Sequence, residues 1–164
     1  MAPADGAGVF GAIERSGIAA AMRGEIWLYP IVEIFHICGF IVLVGAVVMF
    51  DLRVLGLSRQ ISIRALGRHL LSWSAGALLV IVPTGLMMFS AHATEFVDNR
   101  AFLIKLTLIS LALTNAAAFH VGVFRTADRW DINMRSPAVA KAHALASVGL
   151  WIGVVSCGRL LAYL

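Results

Sequence analysis

The sequence predicts an all-α fold, an integral membrane four-helix bundle with both termini on the outer side of the bilayer. Three observations lead there. Of the 164 residues, 60% are hydrophobic and only 13% charged, about half the charge of an average soluble domain. The charges are bunched between four apolar runs, each long enough to cross a hydrocarbon core of ~30 Å. Lysine and arginine are shared unevenly among the intervening loops, which sets orientation.

Residues 1–164 read as a single four-helix transmembrane domain. Asp5 precedes any lysine or arginine, so a cleaved leader is not expected. Over 1–25, Val9, Phe10, Ile13, Ile18 and Met22 recur at helical intervals among Glu14, Arg15 and Arg23, the pattern of an interfacial helix. Trp27 and Tyr29 mark a headgroup-level aromatic belt, and the first span runs from about 26 to 50. Residues 51–68 form a loop with Arg53, Arg59, Arg64 and Arg68 against Asp51.

The second span, about 69–91, contains Pro83, which removes one backbone hydrogen bond. A short loop over 92–100 leads to the third span, about 101–124. Residues 125–137 return to charge, and the fourth span covers about 139–161. Eight of the 13 lysines and arginines fall in or beside the loops after spans one and three, so those loops face the cytoplasm and the chain ends face outward.

The net charge of +4 arises from these topology-setting clusters, and no nucleic-acid partner is expected. Cys38 and Cys157 lie within apolar runs, where buried, inert thiols are expected. Neither a phosphate-binding glycine loop nor a nucleophile with a partnered base is present.

Chemistry is concentrated in the histidines. All five lie in or at the edge of a span, where ionisable groups are costly and mark function. Helical rise sorts them into two levels. His69, His120 and His143 share the cytoplasmic third, while His36 and His92 share the outer half with Lys105 and Arg159. Bis-imidazole ligation of a b-type haem needs two neutral histidines at matching depth on facing helices, with cations near its propionates. One or two such haems fit this pattern: His36 and His92 for an outer site, and two of His69, His120 and His143 for an inner one.

Glu33 lies one turn before His36, placed to orient the imidazole or serve a proton path. Small and polar residues from His69 through Ser72, Gly76, Pro83, Met87 and Ser90 share one helix face, as either a cofactor wedge or a packing seam requires. The metal reading draws on His36, His92, His120 and His143. Met87, Met88 and His92 extend it to copper, since thioether and imidazole suit Cu(I).

The stretch HICGFIVLVGAVVMFDLRVLGL, with His36, Gly39, Gly45 and Asp51-Leu52-Arg53, resembles an uncharacterised family of small four-helix bacterial membrane proteins. Asn99-x-x-Phe102-x-x-Lys105-Leu106 is similar to the HemJ-type protoporphyrinogen oxidases and the copper-resistance D proteins. The HemJ-type resemblance implies haem b on His36 and a required lysine at Lys105. This chain departs from that pattern in its extra inner histidines and its longer first cytoplasmic loop.

The function expected is that of a b-type membrane cytochrome moving electrons within or across the bacterial inner membrane. It would exchange them with quinone or a redox partner protein, as a monomer or an oligomer. A copper or other metal-ion permease and an accessory subunit of a larger membrane complex are the alternatives.

Overall fold

The computed structural model describes residues 8–160; Asp5 and Leu161 lie outside them. The expected interfacial helix is two short ones, α1 (Val9–Glu14) and α2 (Gly17–Gly24). The break falls at Ser16, whose hydroxyl accepts from the Ala19 amide at 3.3 Å and so caps α2. Arg23 then ties the pair to the bundle, donating to the Ala91 carbonyl at 2.8 Å and to that of Glu14 at 2.6 Å.

Four helices are long and apolar enough to cross a membrane: α3 (Leu28–Leu55), α4 (Ile63–Ala91), α6 (Arg100–Val121) and α7 (Ala138–Leu160). Between α4 and α6 the expected loop contains another short helix, α5 (Ala93–Asp98). A 3-10 helix, Val123–Trp130, follows α6 and tucks Ala127 and Trp130 under the bundle.

Three boundaries differ from the sequence reading, the third span ending at Val121 rather than near 124, where the 3-10 helix takes over. The first span continues past residue 50 to Leu55, and the second begins at Ile63 rather than near His69, so the loop expected over 51–68 shrinks to seven residues, 56–62. The reason is local hydrogen bonding. Gly56, at φ +118°, closes α3 in a left-handed turn in which its own amide reaches the Arg53 carbonyl and that of Leu57 reaches Leu52. The Ser62 hydroxyl caps α4 by accepting from Ala65 at 3.2 Å, and the Asp131 carboxylate accepts from the Ile63 amide at 2.6 Å.

Arg53, only 2% exposed, joins the two loops of that end. Its Nε donates to Ile61 O at 2.7 Å, and Nη2 donates to Arg59 O at 3.1 Å and to Asp131 O. Arg64 pairs with Asp128 beside it. At the opposite end, the Glu14 carboxylate accepts from the Thr94 amide at 2.9 Å and hydroxyl at 2.7 Å, docking α1 on α5.

The spans form two hairpins, α3 with α4 and α6 with α7, joined through α3 and α7. Among the described residues, α4 and α6 make no close backbone contact. Three apolar layers fill the interior: Met22, Val32 and Ala91 near α2; Leu43, Ala77, Ala112, Trp151 and Val154 in the middle; Val54, Ile63, Phe119, Trp130 and Ala144 at the Arg53 end. The outward faces are as apolar as the core, with Leu79 at 79% and Ile152 at 62% exposure. Water would not tolerate such a surface, and lipid does.

Candidate functional site

His36 sits on α3 against the Pro83 turn of α4. Its Nδ1 lies 3.1 Å from the Ile81 carbonyl and 3.0 Å from the Thr84 hydroxyl. A carbonyl only accepts, so Nδ1 carries the hydrogen and Nε2 carries a lone pair. Thr84 is oriented to receive that hydrogen because its own hydroxyl donates to Val80 O at 2.6 Å. Gly85 makes the approach possible: a Cβ there would lie 3.0 Å from His36 Cε1.

Glu33, one turn earlier, is exposed, and the Nδ1 hydrogen goes to α4 rather than to it. Lys105 of α6 is half-buried beside Cys157 and Gly158 of α7, its ammonium within electrostatic range of the His36 ring. Thus His36 is bonded to α4 and lies within electrostatic range of a cation on α6, in the half of the bundle nearer α2. Arg159 is exposed in the last turn of α7.

His92 is the junction residue between α4 and α5, with Nδ1 3.5 Å from Glu95 Oε2. It lies seven residues beyond Gly85, about 10 Å along the helix axis. The structure therefore places His36 and His92 at different depths.

At the Arg53 end, His120 and His143 flank Phe119, with ring centroids 5.6 and 5.9 Å from it. His120 also stacks on Phe50 at 6.3 Å and meets Phe124 edge-on at 5.1 Å. His143 Nδ1 is 2.7 Å from Asn115 Oδ1, while Asn115 Nδ2 donates to the His143 carbonyl at 3.0 Å. His69 stands apart from both. It is exposed, and its Nε2 accepts from the Trp73 indole at 3.2 Å, so the longer α4 places it two turns inside the helix on an outward face.

The stripe of small residues divides by role. Ser72 and Gly76 line an open, apolar groove of about 440 Å³ between α3 and α4, together with Phe35, Cys38, Gly39 and Trp73. Met87 and Met88 pack against the layer of Met22, Val32 and Ala91, as adaptable filler does. Cys38 is exposed on the groove rather than buried, because an outward face in lipid is itself apolar; Cys157 is half-buried. Among the described residues, no three histidine, cysteine or acidic side chains converge on one point.

Sequence reasoning passed over Thr84, Gly85, Asn115 and Ser147. Small polar residues inside apolar runs carry no spacing signal, and only the neighbouring helix shows what they bond. Asp51, which the sequence places in a loop, is buried in α3 at 6% exposure.

Residues 18–164 match a family model described as a family of unknown function, DUF6644, and the chain belongs to that family. No curated protein and no solved structure matches the chain.

Proposed function

We propose that this member of a family of unknown function is a b-type haem-binding membrane protein that moves electrons within or across the bacterial inner membrane, with His36 as the ligand to the iron. One observation carries the reading: the Nδ1 hydrogen of His36 is held by Ile81 O and Thr84, which leaves the Nε2 lone pair available. Metal-ligating histidines are oriented in this way, through a hydrogen bond from the other ring nitrogen to a carbonyl or carboxylate. Lys105, within electrostatic range of the imidazole, is the cation available to a propionate in this reading. The resemblance to HemJ-type proteins implies the same two residues.

Orientation follows the positive-inside rule, with the Arg53 end in the cytoplasm and α1, α2 and α5 outside. Quinone or a redox partner protein is the electron-exchange partner in this reading. A single haem is assigned. At the inner level Phe50, Phe119 and Phe124 pack among His120 and His143, which reads as a packing layer. The methionines that suggested copper are engaged in apolar packing, so no metal-permease role is carried forward.

The test is a pyridine haemochrome assay and a reduced-minus-oxidised visible spectrum of the full chain purified after expression with haem supplied. One haem per chain is expected, lost in His36→Ala and retained in His69→Ala. Absence of Soret and α bands from the wild-type protein ends the reading.

A further inference from the structure

The inner third of the bundle contains a carboxyl group that neither packing nor the His36 centre uses. Asp51 lies about one turn before the end of α3 and is 6% exposed. Its Oδ2 is buried with no hydrogen-bond partner among the described residues. The Ser147 hydroxyl of α7 is the hydrogen-bonding neighbour of the carboxyl.

No cation is committed to this group. Arg53 is two residues further on, about 200° around the helix; its Nε and Nη2 donate to loop carbonyls, and its buried Nη1 makes no hydrogen bond to the carboxyl. On α7, His143 lies one turn before Ser147 with Nδ1 directed at Asn115, and Lys141 is half-buried near the helix start. On α6, His120 is stacked on Phe50. On α4, Arg64 pairs with Asp128, while Arg68 and His69 are exposed. Among α1, α2 and α5, every charged residue is at the opposite end.

An ionised carboxylate in a dry interior needs a donor or cation for each oxygen, whereas the neutral acid supplies its own hydrogen to one of them. The buried Oδ2, with neither donor nor cation on it among the described residues, matches the second state. Ionisable groups inside membrane spans commonly mark proton relays.

We propose that Asp51 is an intramembrane proton-binding site, a carboxyl group that holds an exchangeable proton against Ser147 near the cytoplasmic end of the bundle. About 22 Å of α3 separates it from His36, and the site stands whether or not haem binds there. The ligand is the proton alone; ionisation releases it and leaves the carboxylate, with no other group transferred.

Infrared spectroscopy of the purified full chain in lipid nanodiscs tests this. At neutral pH a protonated-carboxyl C=O band is expected that shifts in heavy water and disappears in Asp51→Asn, with elution profile and helical content unchanged. Asp51→Glu should restore the band at a shifted frequency. If Asp51→Asn does not fold, Asp51→Glu with isotope-labelled aspartate gives the same readout, since the labelled acid band must vanish. Absence of any acid band assignable to Asp51, a band that does not respond to heavy water, or a carboxylate band of Asp51 that shifts on adding sodium or potassium would each overturn the proposal.

Discussion

His143 and Asn115 hold each other through two hydrogen bonds: the ring Nδ1–H donates to Asn115 Oδ1 at 2.7 Å, and Asn115 Nδ2 donates to the His143 carbonyl at 3.0 Å. The second bond fixes the amide, and the fixed amide dictates the ring tautomer. Replacing Asn115 with leucine removes both bonds from the α6–α7 seam. A loss of about 1–3 kcal/mol is expected, read as a lower midpoint of thermal unfolding, with haem bound at His36 unchanged.

Around His36 the effect should reverse, with binding altered and stability nearly kept. Thr84→Val removes one acceptor of the Nδ1 hydrogen and should weaken haem affinity about tenfold. Gly85→Ala places a methyl 3.0 Å from Cε1 and should displace the ring, shifting the α band or lowering occupancy. Titration of the apoprotein with haem measures both, and unchanged affinity in both variants would count against His36 as ligand.

Arg53 is a structural keystone for the short loop. Arg53→Ala leaves the Ile61, Arg59 and Asp131 carbonyls without their donor, and about 3 kcal/mol of stability should be lost. Lysine should not rescue it, because a single ammonium cannot reproduce the fork that reaches two loops. Chemical unfolding in detergent, compared across the two variants, checks this.

Docking of α1 should weaken in acid. The Thr94 amide and hydroxyl hold the Glu14 carboxyl below the ordinary glutamate range. Because the folded value is the lower one, the contribution is complete above the ordinary value and is lost as pH falls through the depressed one. Protection of the Thr94 amide from hydrogen exchange, taken relative to its intrinsic rate at each pH, should fall across that window, and Glu14→Gln should abolish that change.

His69 and Trp73 form an exposed pair on α4, away from the His36 centre. His69→Ala should change Trp73 fluorescence, by removing the acceptor of its indole hydrogen, and leave haem content as in wild type. Loss of haem in this variant would show that His69 belongs to the cofactor site.

The fold was legible because each span announces itself by length and apolarity, and because arginine is concentrated between spans one and two and between spans three and four. Helix ends were less legible. Asp51 and Arg53 look like loop residues until α7 and the segment around Asp131 are seen packed over them, since an ionisable side chain can remain in a helix where other elements cover it. Of the candidate site, the placing of His36 and Lys105 inside spans was legible from the apolar runs around them. The tautomer was not, because Ile81 O and Thr84 lie 45 and 48 residues away in sequence. The histidine levels themselves did not reveal that His69 faces outward, for helix phase relative to a neighbour is set by packing.

The two-hairpin construction has a consequence for assembly in the bilayer. Each hairpin can complete its main contact from neighbouring segments during synthesis, and the seam of α3 against α7 remains for last, with the bonds of Arg53, Ile63 and Arg64 to the segment holding Asp128 and Asp131. A chain severed near Asp98 would then consist of two halves, each self-contained, which could find one another by diffusion in the plane of the membrane.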